Sequence, residues 1–418
     1  MKVVWILNSP IGEISNVLGL SRSQSGSWID AAMDSLMEQT EKVELSVLTT
    51  APISQRAVKN ENGITYLCIP AGKMLRGKRI RKKHLALWEK AIQKLEPDLI
   101  HIWGTEFSLG YDLRYCFPKI PFLYTMQGVM TYIKKYPYLD LPEMQKYLGL
   151  FSRIRCLKYR KEQRIQFCQS LLEQKMIADA EGVIADNEWA ISPFLQEATT
   201  DKFHFIRLPI KKQFQNNEWV QDQAEQDTIF CIAGRNGMKG IHQVIKAAAI
   251  LKQDFPRIKV LIPGNILARK PSFIFAPPYL EFLQKIIVKY ELKANIVFLG
   301  QLTTDEMIVA MKRSKVFVMP SAIENESSTL REAMFLGMPV VTSFAGDIYE
   351  TVIHEKNGLI YRFEEYEMLA YCVRKLLKEP ELSTALGQTA KRSMEQLYTG
   401  HNYGMSLSRI YRQIRGSV

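Results

Sequence analysis

Hydrophobic and polar residues alternate in blocks along the first half of the chain. Short apolar runs rich in β-branched and aromatic residues are separated by stretches with helical spacing of apolar positions, notably Trp28–Glu38 and His84–Leu95. Strands are predicted at Val3–Leu7, Val43–Thr49, Ile64–Ile69, Leu99–Trp103, Pro121–Met126, Val183–Ala185 and Phe203–Leu208. This alternation predicts an α/β fold with a doubly wound parallel sheet.

A second alternation follows the polar stretch from Lys211 to Asp227, which lacks periodicity and is interpreted as a linker. Its predicted strands are Thr228–Ala233, Lys259–Ile262, Ile296–Leu299, Val316–Met319, Val340–Thr342 and Leu359–Tyr361. The chain is therefore predicted to form two Rossmann-like doubly wound domains, 1–210 and 211–398, facing across a cleft. Ligands commonly bind at such domain interfaces and at the carboxyl ends of strands.

Length and composition agree with a folded cytoplasmic protein of two or three domains. A chain of 418 residues with 47% apolar content is too long for one ordinary core. The six cysteines are scattered without a CxxC pair, which is typical of reduced structural residues. The apolar run after Met1 is shorter than a signal peptide, and no run approaches the roughly 20 residues of a membrane span. Export and a transmembrane anchor are therefore not expected.

The net charge of +12 is concentrated in two clusters of the first half. The first cluster contains Lys73, Arg76, Lys78, Arg79, Arg81, Lys82 and Lys83, and the second contains Arg153, Arg155, Lys158, Arg160, Lys161 and Arg164. Apolar residues interleave the second cluster, so a basic amphipathic helix on an anionic membrane surface is predicted. A solvated helix face without a partner is the alternative. Nucleic acid is the weaker partner, because no helix-turn-helix, zinc-finger, RRM or KH pattern is present.

The strongest chemical pattern is the segment Val316–Glu332, VFVMPSAIENESSTLRE, followed by AMFLGMPVV. It predicts a β-α-β unit whose helix N-terminus lies at the carboxyl edge of the sheet, where an anion is favoured. Glu324 and Glu332, at an E-x7-E spacing, could accept hydrogen bonds from hydroxyl groups there. Alternatively, Thr329-x-x-Glu332 forms a capping box and Glu332 only caps the helix.

Two glycine-containing loops could approach a ligand closely. The loop GRNGMKG, residues 234–240, follows the first strand of the second half and carries Arg235 and Lys239, so it could bind a diphosphate. It does not have Walker A spacing, and two solvated cations are the alternative. The loop before Trp28 contains Gly26, although an ordinary loop is an equally good interpretation.

These residues resemble a known family. The segment PSAIENESSTLREAMFLGMPVV, with Gly234-Arg235 and Lys239-Gly240 at the expected distance, is similar to the signature of retaining GT-B glycosyltransferases of the large family 4 group. The segment Pro97–His101 and the loop before Trp28 also resemble their counterparts. The resemblance covers essentially the whole chain and is stronger in the second half.

The resemblance implies a role for each matching residue of the second domain. Glu332 would bind the ribose hydroxyls of a nucleotide-sugar donor, and Glu324 would contact the sugar ring. Arg235 and Lys239 would neutralise the diphosphate. Further backbone donors to the phosphates or the sugar would be the amides of Ser328, Thr329 and Leu330. Ser327 stands where many members have glycine, which leaves the local backbone open.

In the first domain the resemblance implies that Gly26 lets a loop approach the β-phosphate. Gln127, before Gly128, stands where many members have histidine next to the donor sugar. A glutamine can hydrogen-bond but cannot act as an acid or base near neutral pH, so its role stays open. The resemblance also assigns the last helix, 399–418, to the first domain.

The implied function is transfer of a sugar, with retention, from a UDP- or GDP-type sugar to a hydroxyl of a glycan or lipid-linked acceptor in polysaccharide or glycolipid biosynthesis. No Asp-x-Asp pair occurs, so neither a metal nor another cofactor is expected. The enzyme is expected in the cytoplasm or at the inner face of the cell membrane. The alternatives are a nucleotide-sugar epimerase, a phosphorylase and an inactive membrane-surface scaffold.

Overall fold

The computed structural model describes residues 1–20, 27–39, 43–53, 56–70, 79–136, 141–150, 156–232, 234, 236–264, 278–400 and 402–416. The chain divides into two compact units. Unit 1 comprises Met1–Pro137, Lys161–Pro209 and Asn402–Val418. Unit 2 comprises Tyr138–Arg160 and Ile210–His401.

Unit 1 contains a sheet of eight described strands: β1 Lys2–Leu7, β2 Glu44–Ala51, β3 Ala57–Glu61, β4 Ile64–Pro70, β5 Leu99–Trp103, β6 Phe122–Thr125, β7 Gly182–Ala185 and β8 Phe203–Phe205. Their order is β3-β4-β2-β1-β5-β6-β7-β8, and all neighbours are parallel except β3 and β4. The edge strand β3 was not predicted, because its residues are mostly exposed and polar. The predicted parallel sheet is confirmed.

Helices cover both faces of this sheet, as a parallel sheet with fully buried central strands requires. They are α1 Glu13–Val17, α2 Ser27–Met37, α3 Lys82–Leu95, α4 Leu109–Cys116, α5 Met130–Ile133, α7 Leu157–Ala178, α8 Glu188–Ile191 and α17 Tyr403–Gly416, with α6 described below. One face packs against Trp88 and Phe194. The other packs against Met33 of α2 and Leu407 of α17.

A buried chain of hydrogen bonds joins helix α17 to the middle of the sheet. Trp5 Nε1 donates to the Tyr411 hydroxyl at 2.7 Å, which lies 2.8 Å from His101 Nδ1, and His101 Nε2 lies 2.7 Å from Thr125 Oγ1. Because an indole N–H can only donate, the Tyr411 hydroxyl is left to donate to His101. Burial lowers the pKa of His101 to about 3, so the imidazole is neutral. His101, part of the segment that resembles the family, is therefore a structural residue.

Unit 2 contains a second sheet, with strands β9 Thr228–Cys231, β10 Lys259–Pro263, β11 Ile296–Gly300, β12 Val316–Met319, β13 Val340–Ser343 and β14 Leu359–Tyr361. Their order is β11-β10-β9-β12-β13-β14, and all pairings between these strands are parallel. The helices are α6 Leu141–Tyr147, α9 Lys212–Gln215, α10 Ile241–Leu251, α11 Pro278–Lys289, α12 Thr304–Lys312, α13 Ser328–Phe335, α14 Ile348–Thr351, α15 Tyr366–Lys378 and α16 Pro380–Tyr398.

Residues 138–160 belong to unit 2, which differs from the predicted first domain of 1–210. Helix α6 packs on α11, where Lys285 Nζ donates to the Tyr147 carbonyl at 2.7 Å and the Tyr147 ring lies 5.5 Å from that of Phe282. Lys246 Nζ donates to the Glu143 carboxylate at 2.5 Å. These contacts join residues far apart in the chain and leave no periodic pattern in the local sequence. The assignment of residues 138–160 to unit 2 could therefore not be predicted from the sequence.

The predicted linker 211–227 is a packed segment. Phe214 and Trp219 are buried, and Trp219 Nε1 donates to the Ser314 carbonyl at 2.8 Å. The segment is therefore part of unit 2, which begins at Ile210, because burial of two aromatic side chains outweighs the polar composition around them.

We expect Tyr411→Phe to lower the free energy of unfolding by about 2–4 kcal/mol, because it leaves the buried Trp5 N–H and His101 Nδ1 without their partner. Urea unfolding followed by tryptophan fluorescence measures the change. Tyr371→Phe is the matched control, since Tyr371 is 55% exposed and should stay within about 0.5 kcal/mol of wild type. Equal midpoints for both variants would contradict the structural role of this hydroxyl.

Candidate active site at the edge of the second sheet

Three loops meet at the carboxyl edge of unit 2, after the neighbouring strands β9, β12 and β13. Glycines let their backbones touch. Gly240, with φ of 67°, has no room for a β-carbon, which would collide with the Pro320 carbonyl. Gly346, with φ of 59°, packs in the same way against the Glu324 carbonyl. A side chain at either glycine would separate the loops, so these backbone contacts fix the position of Glu324.

Lys239 and Glu324 lie in direct contact across two of these loops. Lys239 Nζ donates to Glu324 Oε1 at 2.5 Å, and Ser321 Oγ donates to the same oxygen at 2.6 Å. The Ala322 amide donates to the Met238 carbonyl at 2.7 Å and ties the loops together through their backbones. The structure thus brings together two residues that the sequence predicted separately, one as a phosphate ligand and one as a sugar ligand.

The two side chains differ in exposure, which determines what each can do. The Glu324 side chain is only 9% exposed, whereas that of Lys239 is 37% exposed. Glu324 Oε2 accepts no hydrogen bond from any residue within the described ranges. The pair therefore offers an accessible ammonium for an anion and a carboxylate oxygen that can accept from a hydroxyl group.

The helix α13 begins at a serine cap. Ser327 Oγ accepts from the Leu330 amide at 3.3 Å, and Ser327 has φ of −99° and ψ of 93°. This ordinary extended backbone does not require the glycine that many members of the resembling family have. Because the cap is Ser327, the alternative of a capping box between Thr329 and Glu332 is wrong. The Leu330 amide is already engaged, and the Ser328 and Thr329 amides lie before the first intrahelical hydrogen bond.

Glu332 is the fifth residue of α13 and is 5% exposed. The preceding residue, Arg331, is also buried, forms an ion pair with Glu326 and lies with its guanidinium 5.7 Å from the Tyr398 ring. This pair was not predicted. Glu326 lies in the loop before α13, and Tyr398 lies on α16.

Two predicted site residues, Arg235 and Gly26, lie outside the described residues. Gln127 is described and follows β6 in unit 1. Its neighbour Gly128 donates its amide to Glu106 Oε1 at 2.6 Å. Glu106 was not predicted, and it brings a carboxylate beside the loop that contains Gln127.

A second carboxylate of unit 1 was also missed. Glu173 of α7 is fully buried and accepts hydrogen bonds of 2.8–3.0 Å from the amides of Met130 and Thr131 and from the hydroxyls of Thr131 and Thr105. Burial raises the pKa of Glu173 to about 7, against the opposing effect of these hydrogen bonds. One turn earlier on α7, Gln169 Nε2 donates to the Glu106 carbonyl at 2.5 Å. Together these residues hold the loops around Glu106 and Gln127.

Within the part of the chain that the structure describes, no group of three or more His, Cys, Asp or Glu side chains could hold a metal ion. The same residues include no helix that is long and apolar enough to cross a membrane.

Comparison with known proteins finds a family model in the second half of the chain. The family described as "Glycosyl transferases group 1" matches residues 213–393, which is less than half of the chain. The match contains Lys239, Glu324 and Glu332 with the start of α13, and also Arg235, whereas Gln127 and Gly26 lie outside it.

Curated relatives match a similar part of the chain. An uncharacterized glycosyltransferase, YqgM, of Bacillus subtilis is 24% identical over 42% of this chain and 46% of its own length. A GDP-mannose-dependent alpha-(1-6)-phosphatidylinositol monomannoside mannosyltransferase of Mycobacterium tuberculosis is 26% identical over 40% of this chain and 42% of its own length. The chain thus spans less than half the length of these curated relatives.

Solved structures match the whole chain. Sucrose-phosphate synthase from Thermosynechococcus elongatus superposes with a TM-score of 0.73 at 17% identity, covering 100% of both chains. Anabaena Alr3699/HepE in complex with UDP and glucose gives 0.67 at 15% identity and the same coverage. WaaG, a glycosyltransferase involved in lipopolysaccharide biosynthesis, gives 0.67 at 15% identity over 97% of this chain and 98% of its own. The predicted GT-B fold of two Rossmann-like domains is confirmed.

We expect Gly346→Ala to lower the free energy of unfolding by about 2–4 kcal/mol, because the new β-carbon collides with the Glu324 carbonyl. Gly63→Ala is the matched control. Gly63 also has a positive φ, of 77°, but a β-carbon there meets nothing within 4 Å, so only the left-handed strain of about 1–2 kcal/mol applies. Thermal or urea unfolding compares the two, and equal losses would contradict the packing of these loops.

Glu173 should make stability depend on pH. Its pKa is raised from 4.5 to about 7, so the folded state binds its proton more tightly than the unfolded state. The contribution of Glu173 to the free energy of unfolding is therefore greatest below pH 4.5. It falls by about 3 kcal/mol as the pH rises from 4.5 to about 7. The difference in unfolding free energy between wild type and Glu173→Gln should fall by that amount over this window.

Gln169→Ala serves as the control for this titration, because glutamine does not ionise and its loss should cost the same at every pH. Urea unfolding at a series of pH values gives both differences. A wild-type advantage over Glu173→Gln that is constant, or that grows with pH, would contradict the assignment.

Proposed function

We propose that the chain is a retaining, metal-independent glycosyltransferase that moves a sugar from a UDP- or GDP-type nucleotide sugar to a hydroxyl of a glycan or lipid-linked acceptor. The observation that carries the proposal is the Lys239–Glu324 pair. It lies at the carboxyl edge of the second sheet, inside the segment that matches the group 1 family.

In this proposal the cations stabilise the negative charge of the departing diphosphate. Cleavage of a sugar–diphosphate bond builds negative charge on the departing phosphate, and fixed donors stabilise that charge without reorganising. Lys239 supplies an accessible ammonium, and Arg235 adds a second cation. The amides of Ser328 and Thr329 add donors at the start of α13. The Leu330 amide is a weaker candidate than predicted, because Ser327 Oγ already accepts from it.

In this proposal the two carboxylates bind hydroxyl groups of the transferred sugar and of the ribose. Glu324 Oε1 is held by Lys239 and Ser321, which leaves Oε2 for a hydroxyl of the transferred sugar. A diphosphate bound by Lys239 would share the ammonium with Glu324, so the pair couples phosphate binding to the position of the sugar ligand. Glu332 binds the ribose hydroxyls.

Transfer proceeds on one face of the sugar. The bond between the anomeric carbon and the diphosphate oxygen breaks while the acceptor oxygen bonds to the same carbon, and the acceptor proton passes to the departing phosphate. Gln127 takes no proton in this scheme, because its amide can only donate and accept hydrogen bonds. Arg235 and Lys239 take the place of a metal ion.

The comparisons support the choice of donors to test first. The mycobacterial relative is GDP-mannose-dependent, and the Anabaena structure holds UDP and glucose. A mannolipid-synthesising relative and a lipopolysaccharide glycosyltransferase of the same fold support a role in glycolipid or polysaccharide assembly. We also propose that the enzyme works in the cytoplasm, peripheral to the inner face of the cell membrane.

A thermal-shift screen with UDP, GDP and ADP and their sugars tests donor binding. The true donor at about 100 times its Kd should stabilise the fold by about 2.7 kcal/mol. Incubation of that donor with candidate acceptors should then release free nucleoside diphosphate together with a glycosylated product. A bound nucleotide sugar that is only epimerised, or no binding of any nucleotide, would reject the proposal.

Arg235→Ala, Lys239→Ala and Glu324→Ala should each lower kcat/KM more than about tenfold, the scale of one lost charge-assisted contact. The matched controls are Lys375→Ala and Glu355→Ala, which remove the partners of a 3.0 Å ion pair on the surface of unit 2 and should leave turnover unchanged. The assay measures release of nucleoside diphosphate. Wild-type kinetics in all three site variants would contradict the assignment of these residues to the active site.

A further inference from the structure

The outer face of α7 combines exposed apolar and basic side chains. Arg164, Phe167, Leu171 and Lys175 follow one another at helical spacing and are all exposed. Phe167 is 53% exposed and Leu171 is 44% exposed. Large apolar side chains in a row on an exposed helix face, rather than scattered singly, mark an interaction surface.

Cations of α7 and of neighbouring elements stack on aromatic rings at this face. Lys134 Nζ lies 5.6 Å from the centre of the Phe167 ring. At the other end, Lys175 Nζ lies 5.9 Å from the Tyr111 ring, and the Arg79 guanidinium lies 5.1 Å from the same ring. These contacts join α7, α4 and the segment before α3 into one surface of unit 1. We name this surface the basic–aromatic strip, and its residues are Arg79, Tyr115, Lys134, Phe167, Leu171 and Lys175.

The strip keeps a positive charge after its acidic neighbours are considered. Asp112 pairs with Arg79, and its carboxylate is buried. Asp179 lies one turn beyond Lys175 and is exposed. Lys134 donates to the Ser170 hydroxyl at 3.0 Å, a neutral partner. A third carboxylate, Glu89, lies beside Cys116 near Arg79 and Asp112. With Arg164 on the same helix face, four cations exceed these three carboxylates, so an anionic partner is favoured.

We propose that the basic–aromatic strip docks unit 1 on an anionic lipid bilayer, with Phe167 and Leu171 at the boundary between headgroups and acyl chains. Lysine and arginine stems can run along apolar surface while their charges reach lipid phosphates. Tyr115, 57% exposed, has the apolar ring and polar tip typical of membrane interfaces. A soluble polyanion would need only the cations, so the exposed Phe167 and Leu171 favour a lipid surface.

All residues of the basic–aromatic strip are described residues of unit 1. The strip is separate from the predicted membrane segment around Arg153 and Arg155, which lies outside the described ranges. Membrane docking rests on the peripheral location given with the proposed function, but it is measured without donor or acceptor. A failed flotation therefore rejects the peripheral location and leaves the transfer reaction untouched, and a failed transfer assay leaves membrane docking untouched.

Vesicle flotation of the full chain tests the proposal, with phosphatidylcholine vesicles that contain or lack phosphatidylglycerol. Wild type should float only with the anionic vesicles, and salt should weaken binding. Phe167→Ala with Leu171→Ala should weaken binding at least about fivefold, from the lost apolar burial. Lys134→Ala with Lys175→Ala should weaken it by about fivefold for each lysine.

Val288→Ala with Val309→Ala is the matched control, because both valines are exposed aliphatic residues of unit 2, 55% and 56% exposed, and should float like wild type. Thermal unfolding checks that each variant is folded. Absence of wild-type flotation overturns the proposal. So does loss of binding in the lysine variant without loss in the Phe167 and Leu171 variant, a result that indicates a soluble polyanion as the partner.

Discussion

The candidate site depends on backbone contact between loops that follow adjacent strands. Gly240 and Gly346 bring the chain against the carbonyls of Pro320 and Glu324, and this contact leaves Lys239 and Glu324 within hydrogen-bonding distance. Glu324 Oε1 accepts from Ser321 of its own loop and from Lys239 of the neighbouring loop, so the position of the carboxylate depends on both. The glycines are therefore as necessary to the site as the charged residues, although they bind nothing themselves.

In unit 1 the loops are held by a buried carboxylate rather than by glycine packing. There a buried carboxylate, Glu173, accepts four hydrogen bonds and joins α7 to the loops around Glu106 and Gln127. Burial raises its pKa to about 7, so this support is sensitive to pH, whereas glycine packing in unit 2 is not. The outer face of the same helix carries the basic–aromatic strip, so one helix connects the loop support to the surface assigned to the membrane.

Much of the fold follows from local patterns in the sequence. Strands β5, β12 and β14 begin and end at the predicted residues, because each is an apolar run bounded by polar residues, proline or glycine. The pairing of Lys239 with Glu324 could not be predicted, since it depends on strand order and on two loops 85 residues apart. Glu173 was missed because an acid on a helix is usually solvated. The packing of α6 in unit 2 depends on contacts between distant parts of the chain, which hydrophobic periodicity does not predict.

The most direct test of the central claim is calorimetric titration of UDP and GDP into wild type, Lys239→Ala and Glu324→Gln. If the pair forms the diphosphate site, Lys239→Ala should bind the preferred nucleotide about tenfold more weakly, the loss of one charge-assisted hydrogen bond. Glu324→Gln should bind it at least as tightly as wild type, because the ammonium is no longer shared with a carboxylate. Unchanged affinity in Lys239→Ala would contradict the account.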